Sequence, residues 1–83
     1  MTTKKIIRVG INGFGRIGRA VCKQFLAKEE FRVVGLNDLA NLEDLAYLFK
    51  YDSVHGWYPK KVASDKKNLQ VEDQRIPFFS SPD

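Results

Sequence analysis

Cysteine occurs once, as Cys22, and histidine once, as His55. A lone cysteine excludes an internal disulfide and any cysteine-rich metal site, and agrees with a reducing compartment without requiring one. Long apolar runs are also missing: none approaches 18 residues, so the sequence offers no membrane-spanning helix. Met1 to Lys5 carries the charge of a signal-peptide start, but Ile6-Ile7 is cut off by Arg8 and no hydrophobic stretch follows. Repeats and low-complexity segments are absent. A large charge of one sign is lacking too. The net charge of +4, with acids and bases interspersed, suits an anionic ligand and is too mild to argue for nucleic acid. What is present is 83 residues, 43% hydrophobic, with ten aromatics, which argues for folding over disorder. A chain this short makes one small domain and buries only about 60–65% of its unfolded surface, so its core is marginal.

Gly13-Phe14-Gly15-Arg16-Ile17-Gly18 is the most informative stretch. It lies between an apolar run at residues 6–12 and a helical pattern over 16–28. The first glycine lets the chain turn out of a strand, the second lets a pyrophosphate approach the backbone, and the third lets the helix pack on the strand. The N–H groups of Arg16 and Ile17 fall in the first helical turn, where no helix carbonyl can accept them. A phosphate oxygen can, with the helix dipole in its favour.

The pattern around this loop reads as an α/β fold. In the first strand Ile7, Val9 and Ile11 alternate with Arg8, Gly10 and Asn12, and both faces are compatible with burial. In the helix, Ile17, Ala20, Val21 and Phe25 form an apolar stripe widened by Leu26, with Arg19, Lys23 and Lys28 off it. Residues 31–37 make a second strand with nearly the phrase of the first, Arg32-Val33-Val34-Gly35-Leu36-Asn37 against Arg8-Val9-Gly10-Ile11-Asn12. Strand, helix, strand within about 30 residues implies a parallel pair. Asn41 reads as the N-cap of a second helix with Glu43 and Asp44 in its first turn, the stripe Leu42, Leu45, Ala46, Leu48 and Phe49, and an end near Lys50. An irregular stretch follows through Gly56 and Pro59. Residues 61–64, 68–71 and 75–79 then read as an antiparallel meander. Pro77 cannot donate to a ladder, so its run is expected to be an edge or to begin there. The expected fold is a Rossmann-type βαβα start of a parallel sheet followed by that meander. With only two parallel strands it would leave apolar surface bare.

Asp38 closes the second strand, twenty residues after Gly18. That is the position of the acid that hydrogen-bonds a ribose hydroxyl in NAD sites. It would repel a 2′-phosphate, and Leu39, Ala40 and Asn41 supply no cation to host one, so NAD is favoured over NADP. No catalytic residue and no metal ligand is identified. Cys22 lies mid-helix among apolar residues, where a thiolate is disfavoured, and reads as core filler. His55 has no nucleophile to serve and reads as a turn or packing residue. Lys60, Lys61, Lys66 and Lys67 beside Trp57 and Tyr58 could form a polyanion patch. Asp65, Glu72 and Asp73 interleave with them, so a solvated hairpin face is preferred. A non-catalytic nucleotide- or RNA-binding module remains the alternative, marked by salt-sensitive binding that survives loss of Asp38.

Val9 to Arg19 resembles the opening of phosphorylating glyceraldehyde-3-phosphate dehydrogenases. Asn37-Asp38-Leu39 and Leu48-Phe49-Lys50-Tyr51-Asp52-Ser53-Val54-His55-Gly56 resemble that family's next two signatures. The resemblance spans nearly the whole chain and implies that residues 1–83 are the N-terminal portion of the NAD-binding domain, without the catalytic domain. It further implies that Asn12, Gly13, Phe14, Gly15, Arg16, Ile17, Gly18, Asn37 and Asp38 bind NAD. Arg16, Ile17 and Asp38 would hold pyrophosphate and ribose, and Asn12, Phe14 and Asn37 would line the adenosine side. The related erythrose-4-phosphate dehydrogenases usually have glutamate where Asp38 stands. The resemblance implies a cytoplasmic glycolytic homotetramer, with the tyrosine-serine-histidine stretch near a subunit contact. Such an enzyme oxidises a phosphorylated aldehyde through a thioester, passes hydride to NAD and yields 1,3-bisphosphoglycerate. The family's nucleophilic cysteine segment, base histidine and phosphate-gripping residues have no counterpart here, so this chain alone is expected to be inactive. Ser81-Pro82-Asp83 replaces a glutamate-arginine-aspartate of the family, which removes a guanidinium from the adenine side.

Overall fold

The computed structural model describes residues 5–52 and 57–81. The chain order is β1 (Ile7–Asn12), α1 (Arg16–Leu26), β2 (Phe31–Asn37), α2 (Leu42–Tyr51), β3 (Val62–Ser64), β4 (Asn68–Val71) and β5 (Gln74–Phe79). One five-stranded mixed sheet results, in the order β1-β2-β5-β4-β3. β1, β2 and β5 are parallel neighbours, while β5-β4 and β4-β3 are antiparallel.

The shared phrase of the first two strands turns out to be their register. Arg8 faces Arg32, Val9 faces Val33, Gly10 faces Gly35, Ile11 faces Leu36 and Asn12 faces Asn37. Val34, the one residue β2 has in excess, falls where the register shifts between Val9 and Gly10. The match carries both strand ends, and so Asn12 and Asn37, to the same level of the sheet.

α2 forms as its residues dictate. Asn41 caps it, with Oδ1 accepting from the N–H groups of Glu43 at 2.8 Å and Asp44 at 3.2 Å, a stabilisation of about 1 kcal/mol. Leu42, Leu45, Ala46 and Phe49 are buried. The two helices lie side by side: Lys23 of α1 sits 4.9 Å from the Phe49 ring centroid of α2, and Arg19 of α1 pairs with Asp52 just past α2. Their shared core joins Phe14, Cys22 and Phe49 to Leu36, Leu69, Val71 and Ile76 of the sheet.

Five expectations need correction. First, the apolar stripe of α1 is not its most buried face. Arg19 and Cys22 are buried, whereas Ile17 is 80% exposed. α1 buries the side that meets α2 and the sheet, while Ile17, Val21 and Phe25 overhang the free flank of β1. Second, β1 is mostly exposed, because it is an edge strand with a neighbour on one side only. Third, β5 is an interior strand, and Pro77 is neither at its start nor on an edge. The Phe78 N–H donates to the Lys67 carbonyl, so the Pro77–Asn68 pair is a non-hydrogen-bonded one. The proline nitrogen therefore faces away from β4, just before pairing with β2 begins at Phe78, and no ladder bond is lost. Fourth, β5 supplies a third parallel strand beyond the two expected. Helix α1 also ends at Leu26 rather than Lys28, its last turn closing on Ala27.

Candidate functional site

The site is built at the carboxyl ends of β1 and β2, where the chain leaves each strand. Gly13 adopts φ +95°, a conformation that favours glycine, and its N–H donates to the Asn37 carbonyl at 2.7 Å. The turn out of β1 is thus tied to the last residue of β2. Five residues on, a Cβ at Gly18 would lie under 3.0 Å from the Gly13 carbonyl oxygen and 3.6 Å from Ile11 Cγ2. Glycine there lets α1 seat directly on the loop and strand it follows.

Gly15 is the N-cap of α1 and has no side chain with which to satisfy the first-turn N–H groups. A Cβ at Gly15 would meet nothing within 4 Å. The first turn of α1 contains no acid, and Arg16 opens it. An uncapped helix start, open space above its cap and a cation beside it are the conditions for holding an anionic group.

Phe14 connects this loop to the core. Its ring is fully buried and stacks on Phe49 with centroids 5.5 Å apart. The side chain points into the core and so offers no ring to line an adenosine surface, and the residue as a whole is buried. Its N–H donates to Asp38 Oδ2 at 2.7 Å, and its carbonyl accepts from Arg19 Nη1 at 3.3 Å. Arg19 also pairs with Asp52, 3.2 Å from Nη2 to Oδ2. Nothing in the local sequence marks Arg19 as part of the site. Its role depends on a contact 33 residues away with Asp52, which no local pattern reveals.

Asp38 stands half-buried at the end of β2. Its Oδ1 accepts from Ala40 N–H at 2.8 Å and its own N–H donates to the Phe79 carbonyl at 3.0 Å. The amides of Ala40 and Phe14 favour the charged carboxylate and hold it below the usual carboxylate range. A carboxylate offers about four lone-pair sites, so the amides of Ala40 and Phe14 leave room for a further donor.

Asn37 ties three strand ends together. Its Nδ2 donates to Asn12 Oδ1 at 2.9 Å and to the Ser81 carbonyl at 3.0 Å, and its Oδ1 accepts from Ser81 N–H at 2.9 Å. Asn12 and Asn37 thus meet each other and the segment after β5. An open groove of about 700 Å³ begins at Gly13, Gly15, Arg16 and Ile17 and runs down the free flank of β1 and α1 over Val9, Val21 and Phe25. Only its upper end belongs to the loop, and Asp38 is not among the residues that line it.

The remaining singled-out residues lie apart. Cys22 is fully buried in the core, and burial pushes its thiol up to about 12. Lys60, Lys61, Lys66 and Lys67 lie on the meander and the segment before it, and Asp65 there caps its own turn by accepting from Lys67 and Asn68 N–H groups at 2.8 Å. His55, with Ser53, Val54 and Gly56, and Pro82 with Asp83 lie outside the described residues. No helix among the described residues is long and apolar enough to cross a membrane.

The family profile described as "Glyceraldehyde 3-phosphate dehydrogenase, NAD binding domain" matches residues 7–83. A glyceraldehyde-3-phosphate dehydrogenase of Mycoplasma pneumoniae is 42% identical over 83 residues, covering 100% of this chain and 25% of that protein. Glyceraldehyde-3-phosphate dehydrogenase 2 of Saccharomyces cerevisiae is 46% identical over 79 residues, 94% of this chain and 24% of the relative. The Thermotoga maritima glyceraldehyde-3-phosphate dehydrogenase is 45% identical over 78 residues, 92% of this chain and 23% of the relative. The chain spans about a quarter of the length of the curated relatives it matches. With its glycine loop, its parallel strand pair and the acid ending the second strand, the chain belongs to the NAD-binding domain family of glyceraldehyde 3-phosphate dehydrogenase.

Proposed function

We propose that this chain binds NAD by its adenosine and pyrophosphate half, and that it contributes this grip to a phosphorylating glyceraldehyde-3-phosphate dehydrogenase. The observation that carries the reading is the pairing of two features at one sheet end. The start of α1 has no side-chain cap and open space above Gly15, and the Asp38 carboxylate, still able to accept, stands beside it.

The residues fit the cofactor. Arg16 and Ile17 would present first-turn N–H groups to the pyrophosphate, and Gly13, Gly15 and Gly18 give the loop the shape that lets it approach. Asp38 would accept from the ribose hydroxyls and disfavour a 2′-phosphate by like charge. Asn12 and Asn37 would border the adenosine side together with Ser81. When bound, NAD supplies the hydride acceptor for aldehyde oxidation. Among the described residues the site holds no cysteine or histidine to serve as nucleophile or base, and Cys22 is sealed in the core. The chain alone is therefore proposed to bind without turnover. Glyceraldehyde 3-phosphate oxidation, homotetramer assembly and the cytoplasmic setting are proposed for an enzyme of the relatives' length, one of which carries "cytosolic" in its name. In such an enzyme the apolar flank formed by Ile17, Val21, Phe25 and β1 would be covered by the rest of the polypeptide.

Calorimetric titration with NAD and NADP tests the reading. The parent chain should bind NAD more tightly than NADP. Asp38→Ala should lose at least tenfold in NAD affinity and narrow the gap between the two. Unchanged NAD binding by the variant would overturn the assignment of Asp38, and dehydrogenase turnover by the parent would overturn the non-catalytic reading.

A further inference from the structure

We propose that Asp38 is also a positioning residue for the glycine loop, so that phosphate grip and ribose reading share one carboxylate. The proposal rests on NAD binding at this site and specifies how its two halves are coupled.

Besides the Gly13 N–H bond to the Asn37 carbonyl, the loop is fixed mainly through Phe14. Gly15 contributes no side chain, so its place is set by its backbone: by the residue before it and by its carbonyl, which accepts from Arg19 N–H at 2.8 Å. Phe14 is held at three points: its ring by Phe49, its carbonyl by Arg19 and its N–H by Asp38 Oδ2. The first two bear on the ring and on the peptide that follows. Asp38 alone among these contacts holds the peptide between Gly13 and Phe14. The 2.7 Å distance is that of a charge-assisted hydrogen bond, which is about twice as strong as a neutral one. Asp38 is itself oriented, by Ala40 N–H on its other oxygen and through its own N–H on Phe79. A displacement of β2's end would therefore reach the Gly13–Phe14 peptide through the carboxylate, beside the Asn37 bond that holds the Gly13 N–H.

Substitutions at this position separate the two roles. Asparagine has one acceptor oxygen, so it can serve Phe14 N–H or Ala40 N–H but not both, and its amide group then faces a donor. Glutamate keeps the charge and the two acceptors a ribose requires. Its extra methylene prevents it from holding both amides in the present geometry.

The test compares ADP with 2′,3′-dideoxy-ADP, which carries the same phosphates and no ribose hydroxyls for a carboxylate to read. If Asp38 acted only through the ribose, its removal would leave dideoxy-ADP affinity unchanged. The expected result is a loss of about tenfold for dideoxy-ADP with both Asp38→Asn and Asp38→Ala, and a larger loss for ADP. Asp38→Glu should remain weak for dideoxy-ADP while recovering part of the preference for ADP over it, a split that general destabilisation does not produce. A measurement on the parent chain needs no variant to fold: amide hydrogen exchange at Phe14 should be at least tenfold slower than at Gly15. Dideoxy-ADP affinity unaffected by the substitutions, or a Phe14 amide exchanging as fast as Gly15, overturns the positioning role while leaving ribose reading intact. A parent chain that binds neither nucleotide nor NAD overturns the site reading and this proposal with it.

Discussion

Gly15 and Gly18 are three residues apart in one loop, and alanine at each should do opposite things. At Gly18 the added Cβ meets the backbone oxygen of Gly13 at under 3.0 Å, and a peptide group cannot swing aside as a side-chain end can. Overpacking of this kind costs about 1–3 kcal/mol, and the rigid obstacle places Gly18→Ala in the upper part of that range. Alanine's better helix propensity returns at most about 1 kcal/mol. The net loss is about 1–2 kcal/mol, and each kcal/mol lowers Tm by about 4–8 °C in a domain of this size. Because α1 must shift away from Gly13, its first-turn N–H groups move with it and NAD affinity should fall too. At Gly15 the backbone is at φ −76° and the Cβ points into open space. Alanine is a poorer N-cap than glycine but reduces unfolded-state freedom, and these effects are each below about 1 kcal/mol and opposite in sign. Stability should stay within about 0.5 kcal/mol, while NAD affinity drops at least tenfold because the methyl occupies the phosphate's approach. Urea unfolding followed by circular dichroism gives the first quantity and calorimetry the second. A Gly18→Ala chain as stable as the parent, or a Gly15→Ala chain that loses stability but keeps its NAD affinity, would refute the assignment of clash to one glycine and clearance to the other.

Other outcomes follow from the same geometry. Arg19→Met should cost about 1–3 kcal/mol in urea unfolding, since it leaves the Phe14 carbonyl without its donor and removes the Asp52 pair; an unchanged midpoint would contradict the buried role. Asn37→Ala removes three exposed hydrogen bonds and should speed hydrogen exchange at Ser81, whose N–H it accepts; unchanged exchange there would mean that the segment is held otherwise. Asp38 has a folded-state pKa depressed by the amides of Ala40 and Phe14. Its contribution to stability is therefore present above about pH 4 and lost as pH falls through the folded-state value. Stability measured against pH in the acid range should fall less steeply for Asp38→Ala than for the parent, and identical slopes would contradict the shift. Cys22, whose thiol is raised from 9.0 to about 12 by burial, should resist a thiol reagent at pH 8 until urea unfolds the chain. The same shift makes the thiol's contribution to stability disappear as pH rises from 9.0 towards about 12. Rapid labelling without denaturant would place Cys22 outside the core.

Local signals made much of this fold legible. The glycine loop, the Asn41 cap and the repeated strand phrase each act within a few residues, and the structure realises them where they stand. The place of Asp38, directly after β2, is legible for the same reason. What could not be read depends on tertiary neighbours. Helical periodicity identifies the apolar residues of α1 but not which of them a second helix will cover, so Arg19 is buried and Ile17 exposed. The family resemblance implies Phe14 at the adenosine side. Its ring turns inward because Phe49, 35 residues later, offers a stacking partner. Pro77 misled because a proline excludes a bond on one side of a strand only, and sequence does not say on which side the neighbour begins.

The central claim is that the open helix start at Arg16 and Ile17 and the Asp38 carboxylate hold one dinucleotide between them. A crystal of the chain soaked with NAD addresses it most directly. The account predicts pyrophosphate oxygens within hydrogen-bond distance of the Arg16 or Ile17 N–H groups and ribose hydroxyls on Asp38. A dinucleotide seated elsewhere, or density absent from the loop at saturating NAD, would contradict it.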